Sequence, residues 1–206
     1  MPRLEFWYDF ASTYSYLSAM RIEALAGDRG VSLEWKPFLL GPIFNAQGWA
    51  TSPFNIYPKR GRYMVRDIER ISQSRGMSFK LAEPFPQNGL AAARLAMIAA
   101  RDGWAPAFTR EVYLLQFRDG ADISEMGTLV KALGAVGQDA ERLLAQIQEP
   151  AVKDALRAQT ERAASLDIFG APTFVTEDGE MFWGDDRLEQ ALDWARGRTA
   201  PAASSA

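Results

Sequence analysis

The sequence predicts an α/β protein in which a strand–helix–strand unit and a strand–strand–helix unit flank a long helical block. Residues 4–8 and 31–38 have the aromatic and alternating patterns of strands, and apolar residues recur at helical spacing between them. Residues 63–166 keep a helical pattern throughout. Strand character returns over 172–183, and a final helix is predicted over 187–196.

Local signals predict where the elements begin and end. The first helix is predicted to begin near Ser12 or Thr13 and to end near Gly27, whereas residues 39–54, which carry Gly and Pro, are predicted to form a loop. Glu177-Asp178-Gly179 is a hairpin turn signal between the last two strands. The helical block is predicted to contain six helices, at about 63–71, 90–98, 104–117, 124–133, 139–147 and 150–166.

The composition excludes several classes of function. A formal net charge of −3, without a block of like charges, argues against nucleic-acid and membrane partners. No apolar run is long enough to span a bilayer and the N-terminus passes directly into a strand, so a cytoplasmic protein is expected. The chain has no Cys and no His, which excludes thiol nucleophiles, imidazole bases and metal sites built from either residue, and no metal is expected. Hydroxyls, carboxylates, Lys, Arg or a bound cofactor remain for catalysis.

Ser12 lies at the junction between the first strand and the first helix. A hydroxyl at this position accepts hydrogen bonds from the first-turn N–H groups and caps the helix. Helix starts also carry unused donors, so the same position suits a bound anion such as a thiolate or a carboxylate. The local pattern leaves both roles open.

The run Asp9-Phe10-Ala11-Ser12-Thr13-Tyr14-Ser15-Tyr16-Leu17 resembles the active-site turn of 2-hydroxychromene-2-carboxylate isomerases and kappa-class glutathione transferases. These proteins belong to the DsbA-like branch of thioredoxin folds. The resemblance implies a thioredoxin-like fold, βαβ…ββα, with a large all-helical insertion. The chain then divides into a thioredoxin-like domain at 1–40 and 167–198, a helical insertion domain at 41–166 and a flexible tail at 199–206.

The resemblance implies glutathione as the cofactor. The Ser12 hydroxyl would stabilise its thiolate, with Tyr14 of the same turn in the binding site. By itself Pro172, which precedes the third strand, is typical of a trans proline that opens an edge strand. The resemblance instead implies a cis Pro172 that faces the helix start, and an Ala171 backbone that pairs with the cysteinyl backbone of glutathione.

The run from Trp183 to Arg187 resembles a Trp-Gly-Asn-Asp-Arg run of the same family. The resemblance implies that Trp183, Gly184, Asp185 and Asp186 contact the glutamyl end of glutathione, whose ammonium suits the two carboxylates. Asp185 stands where the family has Asn, much as a Thr follows the active-site Ser where the family has Pro. By itself, the spacing of Asp186 and Glu189 predicts a capping box for the last helix.

Residues 58–64 resemble a basic run at the mouth of the site in kappa-class transferases. A basic cluster is most often a solvated helix face. The resemblance implies that Lys59 binds a carboxylate of glutathione or of the substrate. Further candidates on the substrate side, or as aromatic rim, are Asn55, Asn88, Trp49, Tyr57 and Phe85.

The predicted function is therefore that of a glutathione-dependent isomerase of the 2-hydroxychromene-2-carboxylate type, acting on a small unsaturated aromatic acid. A kappa-like transferase acting on electrophiles would use the same residues. A catalytically inactive thioredoxin-like binding module is the alternative of another class, and the absence of Cys excludes a disulfide oxidoreductase. The resemblance also implies a homodimer.

Overall fold

The computed structural model of the chain describes residues 1–81 and 83–197. Its strands are β1 (Arg3–Tyr8), β2 (Ser32–Pro37), β3 (Thr173–Thr176) and β4 (Met181–Trp183). They form one mixed sheet in the order β2-β1-β3-β4. β1 is parallel to β2 and antiparallel to β3, and β3 is antiparallel to β4. The two predicted strand units therefore meet in a single sheet.

The α-helices of the described ranges lie in three groups, with one pair between β1 and β2, a long series between β2 and β3, and one after β4. They are α1 (Thr13–Ala19), α2 (Ile22–Arg29), α3 (Leu40–Ala46), α4 (Pro53–Ile56), α5 (Pro58–Ser74), α6 (Leu90–Asp102), α7 (Ala105–Phe117), α8 (Met126–Ala135), α9 (Ala140–Gln146), α10 (Pro150–Ser165) and α11 (Leu188–Ala195). A short 3-10 turn, Asp185–Arg187, precedes α11. The six helices predicted in the central block are confirmed as α5 to α10.

β1 is an inner strand of the sheet, and large aromatic side chains are buried on both of its faces. Phe6 and Tyr8 face the main core, and Trp7 packs on the opposite face against Phe38. Phe6 lies opposite Phe174 of β3, and the two rings stack with their centroids 5.6 Å apart. Because a slip of one residue would exchange the two faces, this packing fixes the register of the strand that leads to Ser12.

One continuous apolar core joins the sheet to α6, α7 and α8. The Tyr8 and Thr109 hydroxyls lie 2.8 Å apart, and the Tyr113 hydroxyl donates to the Asp9 carbonyl at 2.8 Å. The helices between β2 and β3 thus pack directly behind the end of β1. The domain boundaries at residues 40, 41, 166 and 167 stay a prediction, and the predicted tail at 199–206 lies outside the described residues.

The prediction of one helix from Ser12 to Gly27 is wrong. α1 ends at Ala19 and α2 begins at Ile22, because the backbone of Arg21 leaves the helical region with φ −129° and ψ −16°. The Arg21 guanidinium contacts Asp185 and Glu189 instead of lying along a helix surface. The break is therefore coupled to contacts with distant parts of the chain, which helical periodicity does not register.

The prediction of a loop over residues 39–54 is also wrong, because this segment contains α3 and the beginning of α4. The first N–H of α3, that of Leu40, donates to the Asp9 carboxylate at 2.7 Å. Ser52 caps α4 by accepting from the Phe54 N–H at 3.3 Å, and Pro53 occupies the first helical position. The Gly and Pro residues that suggested a loop lie inside or beside these short helices.

Candidate functional site

Ser12 connects the start of α1 to the segment before β3. Its Oγ accepts a hydrogen bond from the Ser15 N–H at 3.1 Å, which confirms its capping role. The same hydroxyl donates to the Ala171 carbonyl at 2.9 Å. α1 has seven residues, and the Ser12 hydroxyl is the polar side-chain group that links its first turn to the segment before β3.

The segment before β3 has the predicted backbone form. The Ala171–Pro172 peptide bond is cis, and the Gly184 N–H donates to the Pro172 carbonyl at 3.0 Å. Ala171 is half-buried, and in residues 1–81 and 83–197 its N–H has no acceptor while its carbonyl has no donor other than Ser12. Ala171 therefore offers a free backbone N–H beside the Ser12 hydroxyl.

Asp9 organises the Ser12 turn, and sequence reasoning missed it. Its carboxylate accepts from the N–H groups of Ala11 and Leu40, both at 2.7 Å, and its carbonyl accepts from the Ser12 N–H at 2.9 Å. Burial raises the pKa of the Asp9 carboxyl, and the two backbone donors partly offset that rise. An aspartate that accepts from the N–H two residues later is a known turn pattern, so Asp9-Phe10-Ala11 was the available signal.

The structure separates the two aspartates that were predicted to bind the ammonium of glutathione. Asp185 is 3% exposed, and its carboxylate contacts the Ser18 hydroxyl at 2.8 Å, Arg21 at 3.3 Å and Arg75 at 2.7 Å. The side chain of Asp186 is 74% exposed. Asp185 is thus an internal ion-pairing residue whose oxygens already accept from Ser18, Arg21 and Arg75, whereas Asp186 presents its carboxylate to solvent. Contact of either carboxylate with glutathione stays a prediction.

The capping box predicted for α11 is wrong. α11 begins at Leu188, after the 3-10 turn, and no side chain caps its first turn. Glu189 pairs with Arg21, so its carboxylate does not reach back to the helix start. The Asp-x-x-Glu spacing is present, but the Glu189 carboxylate forms a long-range ion pair with Arg21.

Trp183 forms an exposed aromatic pair beside the cis-proline. Its ring lies edge-on to Phe169 with centroids 4.9 Å apart, and the two residues are 53% and 45% exposed. Gly170 is required between them, since a Cβ there would overlap the indole nitrogen of Trp183. Gly184 follows with φ 111°, a conformation that favours glycine. Trp183 and Gly184 therefore lie next to the segment that contains Pro172, and their contact with glutathione stays a prediction.

Tyr14 connects the Ser12 turn to α5. Its hydroxyl donates to the Asp67 carboxylate at 2.9 Å. Burial and then the hydrogen bond to Asp67 raise the pKa of the Tyr14 hydroxyl, so Tyr14 is a neutral donor at ordinary pH. Tyr14 thus holds the helix that begins with the predicted basic run close to α1.

The remaining predicted residues lie on the helical block. Lys59 is exposed in the first turn of α5, and the Asn55 amide donates to the carbonyl of Phe85 at 3.3 Å. The Asn88 side chain accepts from the Leu90 N–H at 3.0 Å, a local turn that precedes α6. No hydrogen bond, ion pair or ring contact of the described residues joins this group to Ser12. Two predicted aromatic residues also have no such contact with Ser12. The Trp49 ring packs against Phe44 with ring centroids 5.7 Å apart, and the Arg60 guanidinium lies over the Tyr57 ring, 4.8 Å from its centroid.

Other features of the described chain lie apart from Ser12. A cleft of about 690 Å³ is bordered by α2, β2 and α6, and none of the predicted site residues lines it. Across residues 1–81 and 83–197 no group of three or more acidic side chains is arranged to hold a metal ion. No helix in those ranges is both long and apolar enough to cross a bilayer.

A sequence model described as the DSBA-like thioredoxin domain matches residues 3–194 of the chain. The chain belongs to this family. It is 28% identical to a 2-hydroxychromene-2-carboxylate isomerase of Sphingobium xenophagum, covering 90% of this chain and 94% of the relative. It is 27% identical to glutathione S-transferase kappa 1 of Homo sapiens, covering 92% of this chain and 89% of the relative.

The solved structure of a 2-hydroxychromene-2-carboxylate isomerase is similar to the whole chain, with a TM-score of 0.84, 25% identity and 95% of both chains covered. A probable DsbA oxidoreductase of Streptomyces coelicolor, 22% identical with a TM-score of 0.76, shares the fold. The predicted fold and family resemblance are thus confirmed. The relatives named isomerase and transferase are enzymes, which confirms the prediction of an enzyme.

Proposed function

We propose that this member of the DsbA-like family is a glutathione-dependent isomerase of the 2-hydroxychromene-2-carboxylate type, in which Ser12 stabilises the glutathione thiolate. One observation carries the proposal: the Ser12 hydroxyl lies 2.9 Å from the Ala171 carbonyl, beside the cis Ala171–Pro172 bond. A cysteinyl peptide that paired with the Ala171 backbone would bring its sulfur towards that hydroxyl. The isomerases among the relatives support this reaction class.

The residues around Ser12 suit a thiol-bearing peptide with charged ends. The chain has no Cys and no His, so a reactive sulfur has to come from a ligand. The free N–H of Ala171 suits the backbone of an extended peptide. Asp186 is the exposed carboxylate for an ammonium, and Lys59 is an exposed cation for a carboxylate. Trp183 and Gly184 would contact the glutamyl end in this proposal.

Glutathione, when bound, would supply a thiolate that adds reversibly to the double bond of an unsaturated acid, permits rotation about that bond and leaves again. Ser12 acts as a hydrogen-bond donor and is not itself the nucleophile. A hydrogen bond to a charged partner contributes about 1.5–3 kcal/mol. At about 1.4 kcal/mol per pKa unit, Ser12 would lower the pKa of the thiol by about one to two units from its usual value near 8.5.

The substrate is bound from the helical block in this proposal. Lys59 would hold a carboxylate of glutathione or of the substrate, while the Asn55 amide and the Asn88 side chain would face polar groups of the substrate. Trp49, together with the aromatic rim, would contact its ring. A homodimer and a cytoplasmic location remain predictions from the sequence.

A kappa-like glutathione transferase is the second candidate, and the relatives named glutathione S-transferase kappa favour it. Such an enzyme would use the same residues, but the sulfur would stay bonded to the product. The two candidates are separated by whether glutathione is regenerated or consumed. A protein that binds glutathione and catalyses neither reaction would be the inactive binding module.

The test is to supply 2-hydroxychromene-2-carboxylate with and without glutathione and to follow isomerisation and free thiol together. The account predicts glutathione-dependent isomerisation without thiol loss, and a fall of about tenfold or more in kcat/KM for Ser12→Ala. Ser165→Ala is the matched control, since Ser165 is exposed and donates only to the carbonyl of Arg162 at 2.8 Å. Failure to bind glutathione, or equal turnover in Ser12→Ala, would overturn the proposal.

A further inference from the structure

The hydrogen-bonding capacity of the Ser12 hydroxyl is almost fully used by the protein. A serine hydroxyl has one hydrogen to donate and two lone pairs to accept with. Its hydrogen is donated to the Ala171 carbonyl, and one lone pair accepts from the Ser15 N–H. What Ser12 offers to an incoming group is therefore its second lone pair. A neutral thiol could donate its S–H to that lone pair, whereas a thiolate needs a donor.

Ser12 can donate to a thiolate only by turning its O–H away from the Ala171 carbonyl. In residues 1–81 and 83–197 that carbonyl has no other donor, and Ala171 is half-buried. Rotation would cost this half-buried carbonyl the hydrogen bond that it accepts from Ser12, and this opposes the rotation. A ligand that donates an N–H to the Ala171 carbonyl makes the rotation of the Ser12 O–H more favourable, because the ligand replaces the hydrogen bond that Ser12 gives up.

We propose that the Ala171 carbonyl is a specificity-determining group that makes ionisation of the bound thiol depend on a peptide N–H of the ligand. The inference rests on the proposed function, because it takes Ser12 as the donor to the sulfur. Cysteinyl peptides, which carry an N–H close to the thiol, release the Ser12 hydroxyl and are ionised. Simple thiols without that N–H leave the hydroxyl on Ala171 and are held in the neutral form.

The exchange needs no further reactant. The ligand N–H donates to the Ala171 carbonyl, the Ser12 O–H rotates to the sulfur, and the thiol proton passes to water, since the chain has no His to receive it. The carbonyl has two lone pairs and can accept both donors for a moment. The negative sulfur then competes successfully for the hydroxyl, because hydrogen bonds to charged acceptors are about twice as strong as neutral ones.

The test compares glutathione with an analogue of the same length in which an ester oxygen replaces the cysteinyl N–H. The pKa of each bound thiol is measured from the ultraviolet absorbance of the thiolate, relative to the pKa of the same ligand free in solution. With the wild-type protein, we expect the ester analogue to show a bound-thiol pKa about one unit higher than glutathione shows, equivalent to about 1.4 kcal/mol. With Ser12→Ala, the difference between the two ligands should disappear.

The outcomes separate the inference from the proposed function. If wild-type protein lowers the thiol pKa of both ligands equally, the inference is overturned and the role of Ser12 in glutathione binding stands. If glutathione does not bind, or its thiol pKa is not lowered, the proposed function fails as well. A crystal structure with glutathione gives a second reading: a ligand N–H without contact to the Ala171 carbonyl would also overturn the inference, even if the ester binds too weakly to titrate.

Discussion

The ion pair between Arg75 and Asp185 fastens the helical block to the turn beside the candidate site. Arg75 follows the last residue of α5, and its guanidinium lies 2.7 Å from the Asp185 carboxylate, which is 3% exposed. We expect Arg75→Met to destabilise the protein, since methionine keeps part of the apolar stem but leaves Asp185 with fewer donors. The helix that carries Lys59 and the turn that carries Asp186 would both lose a direct connection.

The size of the effect follows from burial and from the remaining partners. Removing one partner of a fully buried ion pair costs about 3–5 kcal/mol. The Arg75 side chain is 28% exposed, and Asp185 keeps Arg21 at 3.3 Å and the Ser18 hydroxyl at 2.8 Å. The expected loss is therefore about 2 kcal/mol, nearer the range for one hydrogen bond to a charged group. In a chain of this size that corresponds to a fall in Tm of about 4–8 °C.

Urea unfolding of the wild type, Arg75→Met, Asp185→Asn and the double variant measures both the loss and the coupling. Arg66→Met is the matched control, because Arg66 and its partner Glu69 are both exposed and such pairs contribute less than about 1 kcal/mol. A stability of Arg75→Met equal to that of Arg66→Met, or additive effects in the double variant, would refute the assignment of Asp185 as an internal ion-pairing residue.

Two further predictions concern the backbone around the site. Gly170→Ala forces Trp183 to move, so it should lower the free energy of unfolding by about 1–3 kcal/mol and shift the tryptophan fluorescence. Gly41→Ala is the control, since its Cβ would meet no atom within 4 Å. Equal stability and fluorescence of the two variants would contradict the packing of Trp183 on Gly170. Burial raises the pKa of Asp9, so the folded state holds that proton more tightly than the unfolded state, and this contribution lowers stability as pH rises above the ordinary aspartate range. The unfolding free energy of the wild type minus that of Asp9→Asn should therefore fall as pH rises through this range, and a constant difference would contradict the assignment.

The sequence was sufficient for the features that depend on neighbouring residues. Strand patterning and the Glu177-Asp178-Gly179 turn predicted the sheet-forming segments, and Ser12 caps α1 as its position suggested. The cis form of Ala171–Pro172 followed from the family resemblance and not from the residues alone, because most X-Pro bonds are trans. Local chemistry and resemblance together gave the fold.

The features that sequence reasoning missed depend on residues far apart in the chain. The break between α1 and α2 accompanies the contacts of Arg21 with Asp185 and Glu189, which are 164 and 168 residues away. In the same contacts Glu189 pairs with Arg21, so the predicted capping box does not form, and Asp185 lies in the interior, which its position in the sequence did not indicate. Asp9 looked like an ordinary residue at a strand end, and only the fold shows that it holds the N–H groups of both α3 and the Ser12 turn.

The measurement that tests the central claim most directly is the pKa of the glutathione thiol bound to the wild type and to Ser12→Ala, read from thiolate absorbance at saturating protein. The account predicts a bound-thiol pKa about one to two units below the free value near 8.5 in the wild type, and a return to about the free value in Ser12→Ala. The same bound-thiol pKa in both proteins would contradict the claim that the Ser12 hydroxyl stabilises the thiolate.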